Sequence, residues 1–215
     1  MQALRPSRFG SYLAGAVFCA MLLSIAFFDR PVAIFMFQHT HESREPFIAL
    51  SHIVDALEFF AALGIIWSGW NFARHRSFGR QGQIALRTAL ALFTAIGVKD
   101  VLKLAFGRTW PETWICGNPS LIRDGVMTFS PFHGGGGWAA FPSGHETLSC
   151  AVAACLWVLL PRFRPLYLLV VFVVALSLLL SDFHFVSDIL AGCLVGWMVG
   201  LFAAKLDLPK TEALA

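Results

Sequence analysis

Two short polar stretches carry the residues able to do chemistry. They are Phe141-Pro142-Ser143-Gly144-His145 and His184-Phe185-Val186-Ser187-Asp188, and each stands at the mouth of a long apolar run. Pro142 before Ser143 reads as a helix start, because proline is tolerated in a first turn and serine is a favoured cap. His184 and Asp188 are four residues apart, so on a helix they share one face within hydrogen-bond reach. A carboxylate beside an imidazole fixes its tautomer and raises its basicity, as a nucleophilic or general-base histidine requires. A serine hydroxyl with the free N–H groups of a helix start makes an anion site. Lys103 and Arg108, at the end of an earlier apolar run, bring cations to the same level of the chain's topology.

These residues must be positioned by membrane helices. The 215 residues are 57% hydrophobic and 13% charged, against about 25% charged in soluble domains. The composition predicts an all-α, polytopic membrane protein: a six-transmembrane-helix bundle forming one membrane-embedded domain over residues 1–215. At about 20 residues per crossing, the spans are expected near Tyr12–Phe28, Ile53–Phe72, Ile84–Phe106, Ser143–Leu160, Leu166–Leu180 and His184–Ala204. The first follows Arg5 and Arg8 and is read as a retained span, since no small-residue cleavage site follows it. Pro31–Phe37 is too short to cross and is expected at the interface.

Arg74, Arg76, Arg80 and Arg87 flank the second and third spans, Arg162 and Arg164 the fourth and fifth, and Lys205 and Lys210 follow the sixth. The positive-inside rule makes these loops and both termini cytoplasmic. Lys103, Arg108, Ser143, His145 and His184 then converge on the opposite face. Loop 107–141 holds Trp110, Trp114, Trp138 and the run Gly134–Gly137, and reads equally as a mobile lid or a solvated linker. Five cysteines form no CxxC motif; Cys19, Cys150, Cys155 and Cys193 sit in apolar runs, and only Cys116 lies in a polar loop. The spacing of His39, His41, His52 and His133 suggests no metal site, which needs three or four convergent ligands. No cofactor and no nucleic-acid partner is expected; the arginines are explained by topology.

Lys103-Leu-Ala-Phe-Gly-Arg108-Thr-Trp-Pro111, then Pro142-Ser-Gly-His145, then Ser177 followed by His184-Phe-Val-Ser-Asp188, resemble the three signature motifs of the type 2 phosphatidic acid phosphatase superfamily. The resemblance covers about residues 99–195. It implies a metal-independent lipid phosphatase in which His184 attacks phosphorus, Asp188 orients His184, and His145 protonates the leaving oxygen. It also implies that Lys103, Ser143 and Gly144 hold the phosphate, with Arg108 a further candidate. Two positions depart from the family pattern. Trp110 stands where the first motif has arginine before its proline, and Leu178 where the third has arginine after its serine. Either Arg108, Lys99 or Arg123 is expected to compensate, or the site takes a less charged or differently placed anion. Lys99 and Asp100 also suit pairing inside the bundle, and Glu146 and Asp182 lie close enough to the motifs for supporting contacts.

The expected activity is hydrolysis of a phosphomonoester or pyrophosphate on a membrane lipid, through a phosphohistidine. Polyprenyl diphosphate, phosphatidic acid, phosphatidylglycerol phosphate and lipid A phosphate are the substrates the resemblance implies. A lipid-to-lipid phosphotransferase and a non-catalytic lipid-binding relative are the alternatives. The short loops and small size suggest a bacterial inner-membrane protein with its active site on the outer face. The oligomeric state is not legible.

Overall fold

The computed structural model describes residues 8–76, 78–114 and 117–208. Arg5, Cys116 and Lys210 lie outside the described residues. The elements are α1 (Arg8–Leu23), a π turn (Ser24–Phe28), α2 (Asp29–Thr40), α3 (Glu45–Ser51), α4 (Ile53–His75), α5 (Arg80–Phe106), the single turn α6 (Leu121–Asp124), α7 (Gly144–Leu159), α8 (Arg164–Leu180) and α9 (Val186–Ala204). There is no strand among the described residues, and the all-α polytopic architecture is as expected.

Four helical runs are long and apolar enough to cross a membrane: Gly10–Ser43, Glu45–His75, Pro161–Leu180 and Val186–Ala204. The other two expected spans differ from these for separate reasons. α5 has the length, at 27 residues, but carries Arg80, Arg87, Lys99, Asp100 and Lys103. α7 is apolar but has only 16 residues, or about 24 Å of rise. It packs against α4, α5, α8 and α9, and every residue from Glu146 to Cys155 is buried. A helix surrounded by protein need not match the thickness of lipid. The lipid-facing surface is left to the outer helices, where Phe27, Phe59, Phe60, Trp70 and Phe172 are exposed.

Pro31–Phe37 is not a separate interfacial piece. The helix continues through it to Thr40, and the π turn Ser24–Phe28 lies immediately before. A proline removes one N–H from the ladder, and Pro31 falls in the first turn after the π turn, where that loss is tolerated. The π turn also delivers Asp29 to the protein interior, where its carboxylate accepts from Ser24 Oγ at 2.7 Å.

The closest packing in the bundle joins the helices that follow the two polar stretches. Gly192, Gly196 and Gly200 form a stripe on α9 against the backbone of α7. A Cβ on Gly196 would come 2.2 Å from the Thr147 carbonyl oxygen, and one on Gly200 equally close to that of Ala151. Small residues at i, i+4 and i+8 let two membrane helices approach backbone to backbone. The interface begins at the site end: the Ser143 N–H donates to the Asp188 carbonyl at 3.0 Å.

Loop 107–141 is not a solvated linker. Gly107 ends α5 with φ +57°, and a Cβ there would lie 1.9 Å from the Ser130 carbonyl oxygen, so only glycine fits. The Ser130 N–H donates back to Gly107 at 2.7 Å, the Ala140 N–H to Arg108 at 3.1 Å, and Trp110 Nε1 to Gly136 at 2.8 Å. The glycine run is thereby stitched to the end of α5 and to Trp110, which lines the cavity.

Candidate active site

Each polar stretch becomes a helix entry. Ser143 caps α7: its Oγ accepts from the Glu146 N–H at 3.5 Å. His145 falls in the first turn of α7. His184 sits in the connection before α9, not on the helix as its spacing suggested. Asp188, in the first turn of α9, reaches back to accept from the Phe185 N–H at 3.0 Å. The same carboxylate oxygen faces His184 Nδ1 at 3.4 Å. The His184–Asp188 pairing therefore holds, but it is made by a helix start folded over its own entry rather than by one helical face.

A cavity of about 440 Å³ opens between these helix starts and α4 and α5. His145, His184, Gly144, Lys103 and Lys99 line it together with Trp110 and Trp114, and Asp55 and Glu58 of α4 stand on the facing wall. Lys99 and Lys103 are one helical turn apart and both approach Gly144. A Cβ there would lie 3.3 Å from Lys99 Cδ and 3.8 Å from Lys103 Cε. Lys103 Nζ donates to the Ala139 carbonyl at 2.5 Å. The imidazole of His184 is buried, and burial pushes its pKa below the ordinary histidine value while Asp188 pulls the other way. Burial favours the neutral ring that a nucleophile must have. With Nδ1 turned to Asp188, Nε2 is the nitrogen left for chemistry.

The two departures from the family pattern are filled in different ways. The Trp110 ring lies against His184, with centroids 5.1 Å apart, and Lys103 Nζ is 5.6 Å from its centre. Leu178 is fully buried in the apolar core, while its backbone carbonyl accepts from the N–H groups of Phe183 and His184. Of the three expected compensating cations, Lys99 is in the cavity wall. Arg123 is not; it bonds Asp124 and the carbonyls of Gly117 and Asn118.

Arg108 requires a correction. It was expected among the groups that hold phosphate, but its side chain is 1% exposed and does not line the cavity. Its Nη1 donates to Asp188 Oδ1 at 2.5 Å and to Ser187 Oγ at 2.6 Å, and its Nη2 to Asp29 Oδ2 at 2.7 Å. A guanidinium in an apolar interior is held by carboxylates, and two of them claim this one. Arg108 therefore backs the residue that backs His184. Ser143 is likewise fully buried at the start of α7 and absent from the cavity lining; the structure places it as a cap.

Asp29 was missed by sequence reasoning. It binds the Ser187 N–H at 3.0 Å, the Ser187 hydroxyl at 2.5 Å and Arg108, so it ties the N-terminal helix to the entry of α9. The available signal was a carboxylate placed directly after an apolar run, which is costly unless partnered. The acidic wall of Asp55 and Glu58 was also missed, because nothing in their spacing distinguishes them from solvated helix residues.

Known proteins similar to this chain point to one family. A family model described as the PAP2 superfamily matches residues 84–211. The chain is similar to a lipid A 1-phosphatase of Rhizobium johnstonii, at 26% identity over 203 residues, covering 86% of this chain and 75% of the relative. It is also similar to one of Rhizobium etli, at 30% identity over 106 residues, covering 49% of this chain and 42% of that relative's length. In fold it resembles the crystal structure of a PAP2-type phosphatidylglycerolphosphate phosphatase from Bacillus subtilis, with a TM-score of 0.59 over 89% of this chain and 94% of that one, at 17% identity.

Proposed function

Because the chain belongs to the PAP2 superfamily, we propose that it is a lipid phosphatase that hydrolyses a phosphomonoester through a phosphohistidine on His184. The single observation carrying this reading is that His184, His145, Lys99, Lys103 and Gly144 line one cavity while Asp188 stands behind His184 at 3.4 Å. His184 Nε2 attacks phosphorus as the ester bond to the lipid oxygen breaks. His145 gives its proton to that oxygen, and the phosphoryl group rests on His184. Charge on the equatorial oxygens is met by the two lysines and the Gly144 N–H. His145, now neutral, takes a proton from water as the water attacks, and inorganic phosphate leaves. No step passes through a metal ion. Lys103, Lys99 and Gly144 are the substrate-holding groups; Arg108 acts only through Asp188.

The cavity also narrows the substrate. Trp110 and Leu178 stand where the family pattern has two arginines, and Lys99 beside the motif's own Lys103 is the cation left in the cavity wall; lysine is a point charge where arginine is a bidentate clamp. That weaker clamp suits a phosphomonoester better than a diphosphate. Opposite it, Asp55 and Glu58 with the faces of Trp110 and Trp114 offer hydroxyl acceptors and flat apolar surface, the combination that suits a sugar ring. A glycolipid 1-phosphate meets both requirements, and the two Rhizobium relatives bear the name lipid A 1-phosphatase. The apolar tails enter between helices, with the site on the membrane face away from the cytoplasm.

A phosphate-release panel tests this. Purified wild type and His184→Ala are compared on a lipid A 1-phosphate, phosphatidylglycerol phosphate, phosphatidic acid and a polyprenyl diphosphate. Release from the glycolipid at the highest kcat/KM, absent in the variant, is expected. Preference for the diphosphate contradicts the substrate reading, and equal release by His184→Ala contradicts the mechanism.

A further inference from the structure

Beside the cavity wall formed by Trp114 and Phe183, three groups from distant segments meet around Arg44; Glu112 Oε1 also accepts from the Thr113 N–H, and Asp182 Oδ1 has no partner. His41 comes from the turn between α2 and α3, Glu112 from the loop after α5, and Asp182 from the connection that carries His184. His41 Nδ1 lies 3.4 Å from Glu112 Oε2 and 3.2 Å from Asp182 Oδ2, and one atom of each residue falls within 4.8 Å of the others. We propose that His41, Glu112 and Asp182 form a divalent-cation site of the zinc class, outside the catalytic machinery, that pins together the segments carrying Trp114 and Phe183.

Ligand spacing supports the assignment. Atoms bound to zinc at about 2.1 Å in tetrahedral geometry are about 3.4 Å from one another. An imidazole and two carboxylates are a ligand set that zinc accepts, with the fourth position left to water. The Asp182 side chain is 1% exposed, and its Oδ1 has no hydrogen-bond partner. A buried carboxylate with an orphan oxygen is costly unless a cation compensates it.

The cluster already borrows a cation, incompletely. Arg44 Nη1 is 2.8 Å from His41 Nδ1 but 3.7 Å from Glu112 and 3.9 Å from Asp182, beyond hydrogen-bond distance of either carboxylate. If Nδ1 carries a proton, it opposes the Arg44 N–H at 2.8 Å; if it does not, its lone pair accepts from Arg44 but also faces the oxygens of Glu112 and Asp182. A metal ion among the three atoms removes both conflicts, because all three then donate lone pairs to it. Arg44 then gives up its bond to Nδ1; its guanidinium carbon already lies 4.2 Å from the centre of the Trp114 ring, which can hold it. The bound ion would join three segments around Trp114 and Phe183, which line the cavity.

Zn2+ titration of the metal-stripped full-length protein in detergent, followed by calorimetry, tests the site. Wild type is expected to take up one Zn2+ that His41→Ala and Glu112→Gln do not. Arg44→Gln, which removes the competing cation, should bind it about tenfold more tightly or better. The buried thiol of Cys150 and the half-buried one of Cys193, beside Glu146, are another place for zinc, so Cys193→Ser must retain the uptake. The proposal is overturned if neither wild type nor Arg44→Gln binds. It is equally overturned if the uptake survives Glu112→Gln, or is lost in Cys193→Ser.

Discussion

Arg108 and Asp188 are joined by a fully buried ion pair, Nη1 to Oδ1 at 2.5 Å, and Asp29 claims the other end of the same guanidinium. Truncating Arg108 leaves two buried carboxylates without a cation. Arg108→Met is expected to cost about 3–5 kcal/mol of stability and to abolish turnover through misfolding. Thermal denaturation in detergent measures it; a fully stable Arg108→Met with weakened substrate binding would instead put Arg108 in the substrate site.

Asp29→Asn gives a finer reading of the same network. With Asp29 neutral, the positive charge of Arg108 is less compensated, and less of the Asp188 charge is felt by His184. The His184 pKa, already lowered by burial, should fall further, since a nearby positive charge disfavours imidazolium. Groups facing His184 include Asp188, Lys103 and His145, and all are untouched by the change. The proposed mechanism needs His184 neutral and His145 protonated, so a bell-shaped pH dependence is expected of the wild type. The limb that belongs to His184 should move to lower pH in Asp29→Asn. A pH–rate profile of kcat/KM checks the shift; movement to higher pH contradicts the charge argument.

Lys103, the motif's own lysine, and Lys99, the compensating cation in the cavity wall, are expected to play different parts. Lys103→Met should lower kcat by tenfold or more, because a cation beside the reacting phosphoryl group is worth most in the transition state. Lys99→Met, whose lysine also pairs with Asp100 at 2.6 Å, should raise KM more than it lowers kcat. Steady-state kinetics on one phosphomonoester lipid separates the two, and an unchanged Lys99→Met would remove Lys99 from the site.

The α7–α9 interface sets the spacing of the two histidines. Gly196→Ala puts a methyl 2.2 Å from the Thr147 carbonyl oxygen and 2.8 Å from Cys150 Cβ, so the helices must separate. The expected cost is about 1–3 kcal/mol, with a loss of activity exceeding the loss of folded protein. Gly97→Ala, where nothing lies within 4 Å, is the matched control and should leave activity unchanged.

Much of the site was legible because chemistry and position coincide in short motifs. Ser143-Gly144-His145 and His184 with Asp188 announce helix entries through capping residues and polar groups at the mouths of apolar runs, and the structure brings both histidines to one cavity. What was not legible depends on tertiary partners. Arg108 looked free in sequence because Asp29, 79 residues away, shows no link to it until α1 and the π turn fold onto α9. The pair of α7 and α9 was readable in principle from Gly192, Gly196 and Gly200, whose spacing of four is the signature of close helix contact. The cluster of His41, Glu112 and Asp182 was not, since each ligand comes from a different segment with no local pattern. Pro31–Phe37 was read as a separate interfacial piece from its length, which does not reveal the π turn that joins it to α1.

Rapid-quench labelling is the most direct test of the central claim. Wild type mixed with a lipid phosphomonoester labelled in the phosphoryl group should show label on the protein at early times. The label should be acid-labile, map to the peptide containing His184, and decay as free phosphate appears. His184→Ala should show none. Free phosphate released at full rate with no protein-bound label, or label on a residue other than His184, would contradict the account.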